Sequence, residues 1–173
     1  KESCFLPGTL ITLADGKQVP IETVEVGDLV LSFDKDLNPI PAKVLEIESP
    51  IRDDYYVMIL KNKKQLKITD EHPLYLKNND YEGWGSIIHE KSMKDSKIKT
   101  QTIKVGDTIL SQDSEWIEIL SIEHIELETQ TYNLKTIENT NTFFVEGFLV
   151  HNKGETVNIG GYGEQRATTP SSS

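Results

Sequence analysis

Apolar and polar positions alternate over short stretches of the chain, and turn-forming residues separate these stretches. Residues 43–48 show the two-residue period of a half-buried strand, and Asp15-Gly16 is a strong tight-turn signal. No stretch keeps a long helical period. Similar β-prone runs occupy residues 10–13, 29–33, 55–60, 66–69, 116–127, 131–135 and 148–151. Many short strands with frequent turns predict a mostly β fold of the sandwich or barrel type.

The chain contains an internal repeat. Residues 22–34 align with residues 101–113 around a shared Val-Gly-Asp sequence, and Thr, Val, Gly, Asp, Leu, Ser and Asp are identical between the copies. An alternating strand that ends in Ile-Glu follows each copy. Two copies are too few for a solenoid. The repeat predicts a pseudo-twofold domain of two similar β subunits; chance similarity is the weaker interpretation, because the match extends through the following strand.

Changes in composition divide the chain. Residues 77–100 are polar and highly charged, which predicts a surface insertion. Residues 153–173 combine glycines with a Thr-Thr-Pro-Ser-Ser-Ser end, which is typical of a linker. We therefore place the compact domain at residues 4–152, with an N-terminal flank of residues 1–3 and a linker-like C-terminal flank.

The length and the net charge of the chain argue against several classes of function. The 173 residues suit one domain, and 18 Lys plus Arg against 28 Asp plus Glu give a net charge of -10. That balance argues against a nucleic-acid partner, since phosphate contacts need clustered basic residues. No apolar run approaches the roughly 20 residues of a membrane helix, and the start of the chain lacks a signal-peptide pattern. The single cysteine excludes an internal disulfide and a multi-cysteine zinc cage.

Two motifs in the first half carry candidate chemistry. Cys4 stands at the start of the compact region, where a reactive thiol competes with an inert buried one. His72 follows a predicted strand within the sequence Thr-Asp-Glu-His-Pro, and Pro73 disfavours a helix there. Thr69 and His72 can face one site at the strand end. Taken alone, the motif fits a surface histidine in a capped turn better.

A third motif, His151-Asn152, ends the last apolar strand. The asparagine amide nitrogen can attack its own backbone carbonyl, which forms a five-membered succinimide and cuts the following peptide bond. A neighbouring histidine can assist by proton transfer. A His-Asn pair before a glycine-containing loop is also ordinary turn chemistry.

Together, the three motifs resemble the Hint family of intein and Hedgehog-type self-processing domains. The opening at residues 4–9, the block at 69–75 and the closing segment at 143–152 carry the resemblance, which covers residues 4–152. The opening and the residue after Asn152 are most similar to bacterial intein-like domains. The resemblance implies a pseudo-twofold, horseshoe-like Hint fold and single-turnover self-processing within a larger, bacterial host protein. It further implies a monomer without cofactor or metal, whose partners are its own flanking segments.

The resemblance implies a first reaction at the Ser3–Cys4 bond. The Cys4 sulfur attacks the Ser3 carbonyl, an N–S acyl shift that converts the peptide bond into a thioester. His72 would protonate the leaving amide nitrogen. Thr69 would donate a hydrogen bond that polarises the site, and Asp70, from the same block, would have a supporting role.

The second implied reaction is cyclisation of Asn152, assisted by His151, which cuts the bond to Lys153. Asn141 stands eleven residues before the terminal asparagine, where the family often has a histidine. Asn133 stands between Tyr and Leu, where the family often has an acidic residue. Lys153 has no side-chain oxygen or sulfur to accept an acyl group. We therefore expect terminal cleavage, with some joining of the flanks by aminolysis.

Other functional classes stay open. A β-rich binding or scaffold module with an incidental Cys4 would stay intact when flanks are fused to both ends. A sterol-transferring Hedgehog-like domain would need an apolar extension, and the glycine-rich tail offers none. A metalloprotein is the weakest alternative, because the cysteine and the four histidines lack tight ligand spacing, although zinc held by Cys4 and a histidine would inhibit processing.

Overall fold

The computed structural model describes residues 4–87 and 100–152, and strands dominate this part of the chain. One short 3₁₀ helix spans Ile21–Thr23. The described strands, in chain order, are β1 Leu10–Thr12, β2 Gln18–Pro20, β3 Leu29–Phe33, β4 Pro39–Glu48, β5 Ile51–Arg52, β6 Tyr55–Leu60, β7 Gln65–Ile68, β8 Leu74–Lys77, β9 Glu82–Ser86, β10 Gln101–Thr102, β11 Thr108–Leu110, β12 Trp116–Ile125, β13 Thr129–Gln130, β14 Asn133–Ile137, β15 Thr142–Val145 and β16 Phe148–His151. Within the described residues, no helix has the length and apolar character needed to span a membrane.

The described strands form three sheets. The largest has eleven strands in the order β2-β1-β15-β16-β8-β11-β12-β6-β7, with β9 and β10 attached beside β8. The smaller sheets are β14-β4-β3 and β13-β5. The strands pair antiparallel except β9 with β10. Only β15 separates β1 from β16, so the first and last strands lie close together.

The two Val-Gly-Asp turns of the repeat have the same backbone geometry. Gly27 and Gly106 have φ angles of 99° and 98°, in the left-handed region that glycine adopts without a Cβ penalty. The Gly27 N–H donates to the Val44 carbonyl at 2.8 Å, and the Gly106 N–H donates to the Ile119 carbonyl at 2.9 Å. Each turn is thereby tied to the second strand of the hairpin that follows it.

The aspartates of the two turns also act alike. Asp28 Oδ2 accepts from the Glu25 N–H at 2.9 Å, and Asp107 Oδ2 accepts from the Lys104 N–H at 2.9 Å. A hairpin follows each turn, β3–β4 in the first copy and β11–β12 in the second. The mostly β, pseudo-twofold architecture predicted from the repeat is confirmed.

A continuous apolar core anchors both ends of the domain. Phe5 is fully buried one residue after Cys4, and Phe143 and Phe148 are fully buried on the last two strands. The Phe5 and Phe143 rings meet edge to face, with centroids 6.1 Å apart. Full burial of such a side chain contributes roughly 1.5 to 3 kcal/mol. This packing holds the chain next to Cys4 against the strand pair that ends in Asn152.

Part of the predicted surface insertion is a paired strand. β9 lies within residues 77–100, pairs with β8 and has Gly85 and Ser86 buried. A Cβ on Gly85 would lie 2.7 Å from Leu76 Cδ2. Gly85 therefore permits close packing of the two strands. Residues 88–99 lie outside the described residues.

Candidate active site

Residues 4–6, here called the Cys4 segment, lie between the end of β7 and the start of β14. Phe5 forms a bridge to Ile68 on one side and to Tyr132 on the other. Phe5 and Tyr132 each donate an N–H to the other's carbonyl at 2.8 Å. Cys4 is fully buried. Backbone pairing on both sides therefore sets the position of the Cys4 amide.

Thr69 contacts the Cys4 backbone twice. The Cys4 N–H donates to Thr69 Oγ1 at 2.8 Å, and the Thr69 N–H donates to the Cys4 carbonyl at 3.0 Å. Thr69 was predicted as a hydrogen-bond donor, whereas here its oxygen accepts from the Cys4 amide. A hydroxyl both donates and accepts, so a donor role for Thr69 would be toward a different atom.

His72 is buried, with 1% of its surface exposed, so the surface-histidine interpretation is wrong. Its ring packs on Phe5 at a centroid distance of 4.3 Å, tilted by 41°. Its Nε2 lies 3.5 Å from Asn133 Oδ1, at the outer limit of a hydrogen bond. The fold thus brings His72 against the residue next to Cys4 and places the Asn133 amide beside its Nε2.

Asp70 and Glu71, in the loop between Thr69 and His72, form a buried charge cluster with Arg52 of β5. Arg52 Nη1 lies 3.1 Å from Glu71 Oε1, and Arg52 Nη2 lies 3.9 Å from Asp70 Oδ1. All three side chains are buried. Neither Arg52 nor Glu71 was predicted as a site residue. The only signal in the sequence was a pair of acidic residues inside a motif flanked by apolar strands. Arg52 ties this loop to β5.

Asn152 is buried at the end of β16, with its amide nitrogen held by two acceptors. Nδ2 donates to the Leu134 carbonyl at 2.5 Å and to Asn141 Oδ1 at 3.2 Å. The Asn152 N–H also donates to the Asn141 carbonyl at 2.9 Å. Among the described residues, Asn152 Oδ1 has no hydrogen-bond partner. Asn141 therefore orients both the backbone and the side chain of Asn152.

His151 contacts the carbonyl of the residue that follows it. Its Nδ1 lies 2.5 Å from the Asn152 oxygen, and because a carbonyl only accepts, Nδ1 carries the proton. The ring meets Trp84 edge to face at 4.9 Å. Desolvation by burial lowers the pKa of His151 to about 4, although the hydrogen bond to Asn152 opposes that shift. A neutral His151 thus donates to the carbonyl of the bond between Asn152 and Lys153.

Residues 132–134 connect the two groups of site residues. Tyr132 pairs with the Cys4 segment, Asn133 reaches His72, and the Leu134 carbonyl accepts from Asn152. The loop after His72 makes a second connection, because the His151 N–H donates to the Pro73 carbonyl at 3.1 Å. The three sequence motifs therefore meet in one region.

A cleft of about 540 Å³ adjoins the C-terminal group. Phe33, Tyr75, Trp84, Leu149 and His151 are among its lining residues. Within the described residues, no group of three or more His, Cys, Asp or Glu side chains is arranged to hold a metal ion. Ser3 and Lys153, the flanking residues of the two bonds predicted to react, lie outside the described residues.

The Hint module family model matches residues 1–134 of the chain. The matched part includes Cys4, Thr69, His72 and Asn133, whereas His151 and Asn152 lie beyond it. No curated protein matches the chain.

Several solved structures share the fold. The bacterial intein-like domain from Clostridium thermocellum is 23% identical, with 86% of this chain and 98% of that one covered and a TM-score of 0.70. The DnaB intein from Synechocystis sp. PCC 6803 is 18% identical, covering 87% and 98%, with a TM-score of 0.68. The gp41-1 intein is 21% identical, covering 88% and 100%, with a TM-score of 0.64. The predicted Hint fold is confirmed.

Proposed function

The chain belongs to the Hint module family, and from that premise we propose that it cuts, and in part rejoins, its own polypeptide. The observation that carries the proposal is at Asn152. Two acceptors orient its amide nitrogen, while His151 donates to the carbonyl of the same residue. This amide nitrogen is the nucleophile of asparagine cyclisation, and this carbonyl group is the electrophile. The subtype proposed is the bacterial intein-like one with a non-nucleophilic residue after the terminal asparagine.

In the first proposed reaction, the Cys4 sulfur bonds to the Ser3 carbonyl carbon and the bond from that carbon to the Cys4 nitrogen breaks. The thiol proton is lost and the leaving nitrogen gains one, so the step is an isomerisation. His72 supplies the proton to the nitrogen. Two contacts support this: Thr69 Oγ1 holds the Cys4 N–H, and His72 packs on Phe5. Asp70 and its ion pair with Arg52 support the loop that carries both.

In the second proposed reaction, Asn152 Nδ2 bonds to its own backbone carbonyl carbon and the bond to the Lys153 nitrogen breaks. A proton passes from Nδ2 to the leaving amine, and a succinimide remains. The Leu134 carbonyl and Asn141 Oδ1 orient the amide. The Nδ1–H of His151 stabilises the negative charge that develops on the carbonyl oxygen.

The residue at position 153 sets the proposed products. Water hydrolyses the Ser3 thioester, or the released α-amine of Lys153 attacks it and joins the flanks directly. An α-amine has a pKa of roughly 7.7 to 8.0, so part of it is reactive at neutral pH. We propose cleavage as the main outcome, with the flanks of a larger host protein as the partners, and a monomer that uses no cofactor, nucleic acid or membrane.

A fusion with folded tags on both ends tests the function. Intact mass spectrometry of the fresh protein should show both cleaved products and a smaller ligated product. Cys4→Ala should abolish cleavage at Ser3–Cys4 and keep cleavage after Asn152, since cyclisation uses no thiol. Asn152→Ala should do the reverse.

A fusion that stays intact would instead fit the β-rich binding or scaffold module. Persistent N-terminal cleavage in Cys4→Ala would remove the sulfur from the mechanism. Circular dichroism of each variant controls for loss of the fold.

A further inference from the structure

We propose that Glu48 is a positioning residue for the first reaction: through Asn133 it holds His72 in one tautomer. The inference rests on the proposed function. Glu48 on β4 and Asn133 on β14 are cross-strand Cα partners. Asn133 Nδ2 donates to Glu48 Oε2 at 3.2 Å, and Asn133 Oδ1 lies 3.5 Å from His72 Nε2. A continuous chain of polar contacts therefore runs from the carboxylate to the histidine.

The carboxylate decides which way the Asn133 amide faces. An ionised carboxylate only accepts hydrogen bonds, so Asn133 must present its NH₂ group to Glu48. The amide oxygen then faces the opposite side, toward His72. The ammonium of Lys135 lies 4.0 Å from the other Glu48 oxygen, and only 17% of the Glu48 side chain is exposed. Both features favour one fixed orientation of a charged acceptor.

The amide orientation in turn determines the protonation of the His72 ring. An amide oxygen can only accept, so Nε2 of His72 must carry the proton. The remaining nitrogen, Nδ1, then carries no proton at rest, so it takes the proton lost by the Cys4 thiol and delivers it to the leaving nitrogen. Reversal of the amide would place a donor against Nε2 and favour the other tautomer. Glu48 thus acts on the chemistry without contacting the reacting atoms.

Glu46 provides a matched control on the same pair of strands. Its Oε1 accepts from Thr136 Oγ1 at 2.5 Å, so it also makes a side-chain hydrogen bond from β4 to β14. The Glu46–Thr136 pair is exposed. Among the described residues, Thr136, the cross-strand partner of Glu46, does not contact a histidine. A substitution at Glu46 therefore reports the structural value of such a bond.

Thiol trapping in an Asn152→Ala background measures the first reaction alone. Glu48→Ala should slow trapping by about tenfold or more, because a group that holds a catalytic histidine in its tautomer contributes large factors. Glu46→Ala should change the rate by no more than about twofold, as expected of an exposed contact. Equal rates in the two variants would overturn the proposal.

A more specific test exchanges the amide and the carboxylate between positions 133 and 48. Asn133→Asp alone places two carboxylates opposite each other, which is unfavourable. With Glu48→Gln added, the new carboxylate accepts from both the glutamine amide and His72 Nε2. The double variant should trap faster than either single variant. If the effects of the two substitutions on the trapping rate simply added, the proposed coupling between positions 48 and 133 would be contradicted.

The His72 tautomer itself is the readout that a purely structural role would not move. Long-range ¹H–¹⁵N spectra of the full chain carrying Cys4→Ala and Asn152→Ala should show the proton on Nε2, and Glu48→Ala should mix the tautomers. An unchanged tautomer would overturn the inference. If the unmodified chain forms no trappable thioester, the proposed function fails instead, so the two failures are distinguishable.

Discussion

The group around Cys4 and the group around Asn152 lie on either side of residues 132–134, yet they are built from different kinds of contact. The loop between Thr69 and His72 in the first group carries two buried carboxylates, Asp70 and Glu71, which pair with the buried Arg52. The second consists of neutral groups, in which amides, a carbonyl and an uncharged histidine contact one another.

The contrast teaches which physical term each site depends on. Buried charges are unfavourable unless each keeps its partner, so the first site should respond strongly to loss of one charge. Neutral hydrogen bonds contribute about 0.5 to 1.5 kcal/mol each, so the second site should respond mainly to a change of orientation. Substitutions and changes of pH at the two sites test this difference.

The largest selective effect should follow His72→Ala. Loss of a general acid slows a reaction by roughly 100- to 10,000-fold, so thiol-trapped thioester should form that much more slowly. Cleavage after Asn152 should change little, because Asn152 is held by Leu134 and Asn141. Equal trapping rates in the unchanged chain and in His72→Ala would show that His72 is only a turn residue.

Arg52→Met should lower the free energy of unfolding by about 3 to 5 kcal/mol, because it leaves two buried carboxylates without their cation. Denaturant titration measures this. Addition of Asp70→Asn and Glu71→Gln should recover most of the loss. A triple variant as unstable as Arg52→Met would show that packing, rather than charge, sets the effect.

Lys153→Cys should raise the ratio of ligated to cleaved product several-fold in the double-tagged fusion. A thiol at this position can accept the acyl group from Cys4 before Asn152 cuts, so the flanks stay joined. In the unchanged chain, the same ratio should rise between about pH 6 and 9, as the α-amine deprotonates. An unchanged spliced fraction in the variant would mean that the two sites act independently.

The smallest expected effect on cleavage concerns pH. Because burial lowers the pKa of His151 to about 4, cleavage after Asn152 in Cys4→Ala should show no His151 inflection near pH 6.5. The unfolded chain binds a proton at His151 below about pH 6.5, and the folded chain does so only near 4. His151 should therefore lower stability as pH falls through that window. His151→Gln removes this contribution and is the matched control for denaturation at pH 5 and 8.

Much of the fold was readable from local patterns. The predicted strands at residues 29–33, 55–60 and 148–151 have the bounds of β3, β6 and β16. Their alternation or apolar character reflects burial on a sheet. β9 was not predicted because glycines are typical of loops. A glycine is needed at position 85 because Leu76, on another strand, packs closely against it.

The sequence by itself determined the β architecture, the repeat and the three motifs, because alternation, turn residues and reactive side chains are properties of neighbouring positions. Only the tertiary structure decided that His72 is buried, that Arg52 pairs with Glu71 and that Glu48 reaches His72 through Asn133. Those relations join residues far apart in the chain. They depend on which strands pair and in what register, and a one-residue shift in register would turn each side chain to the other face.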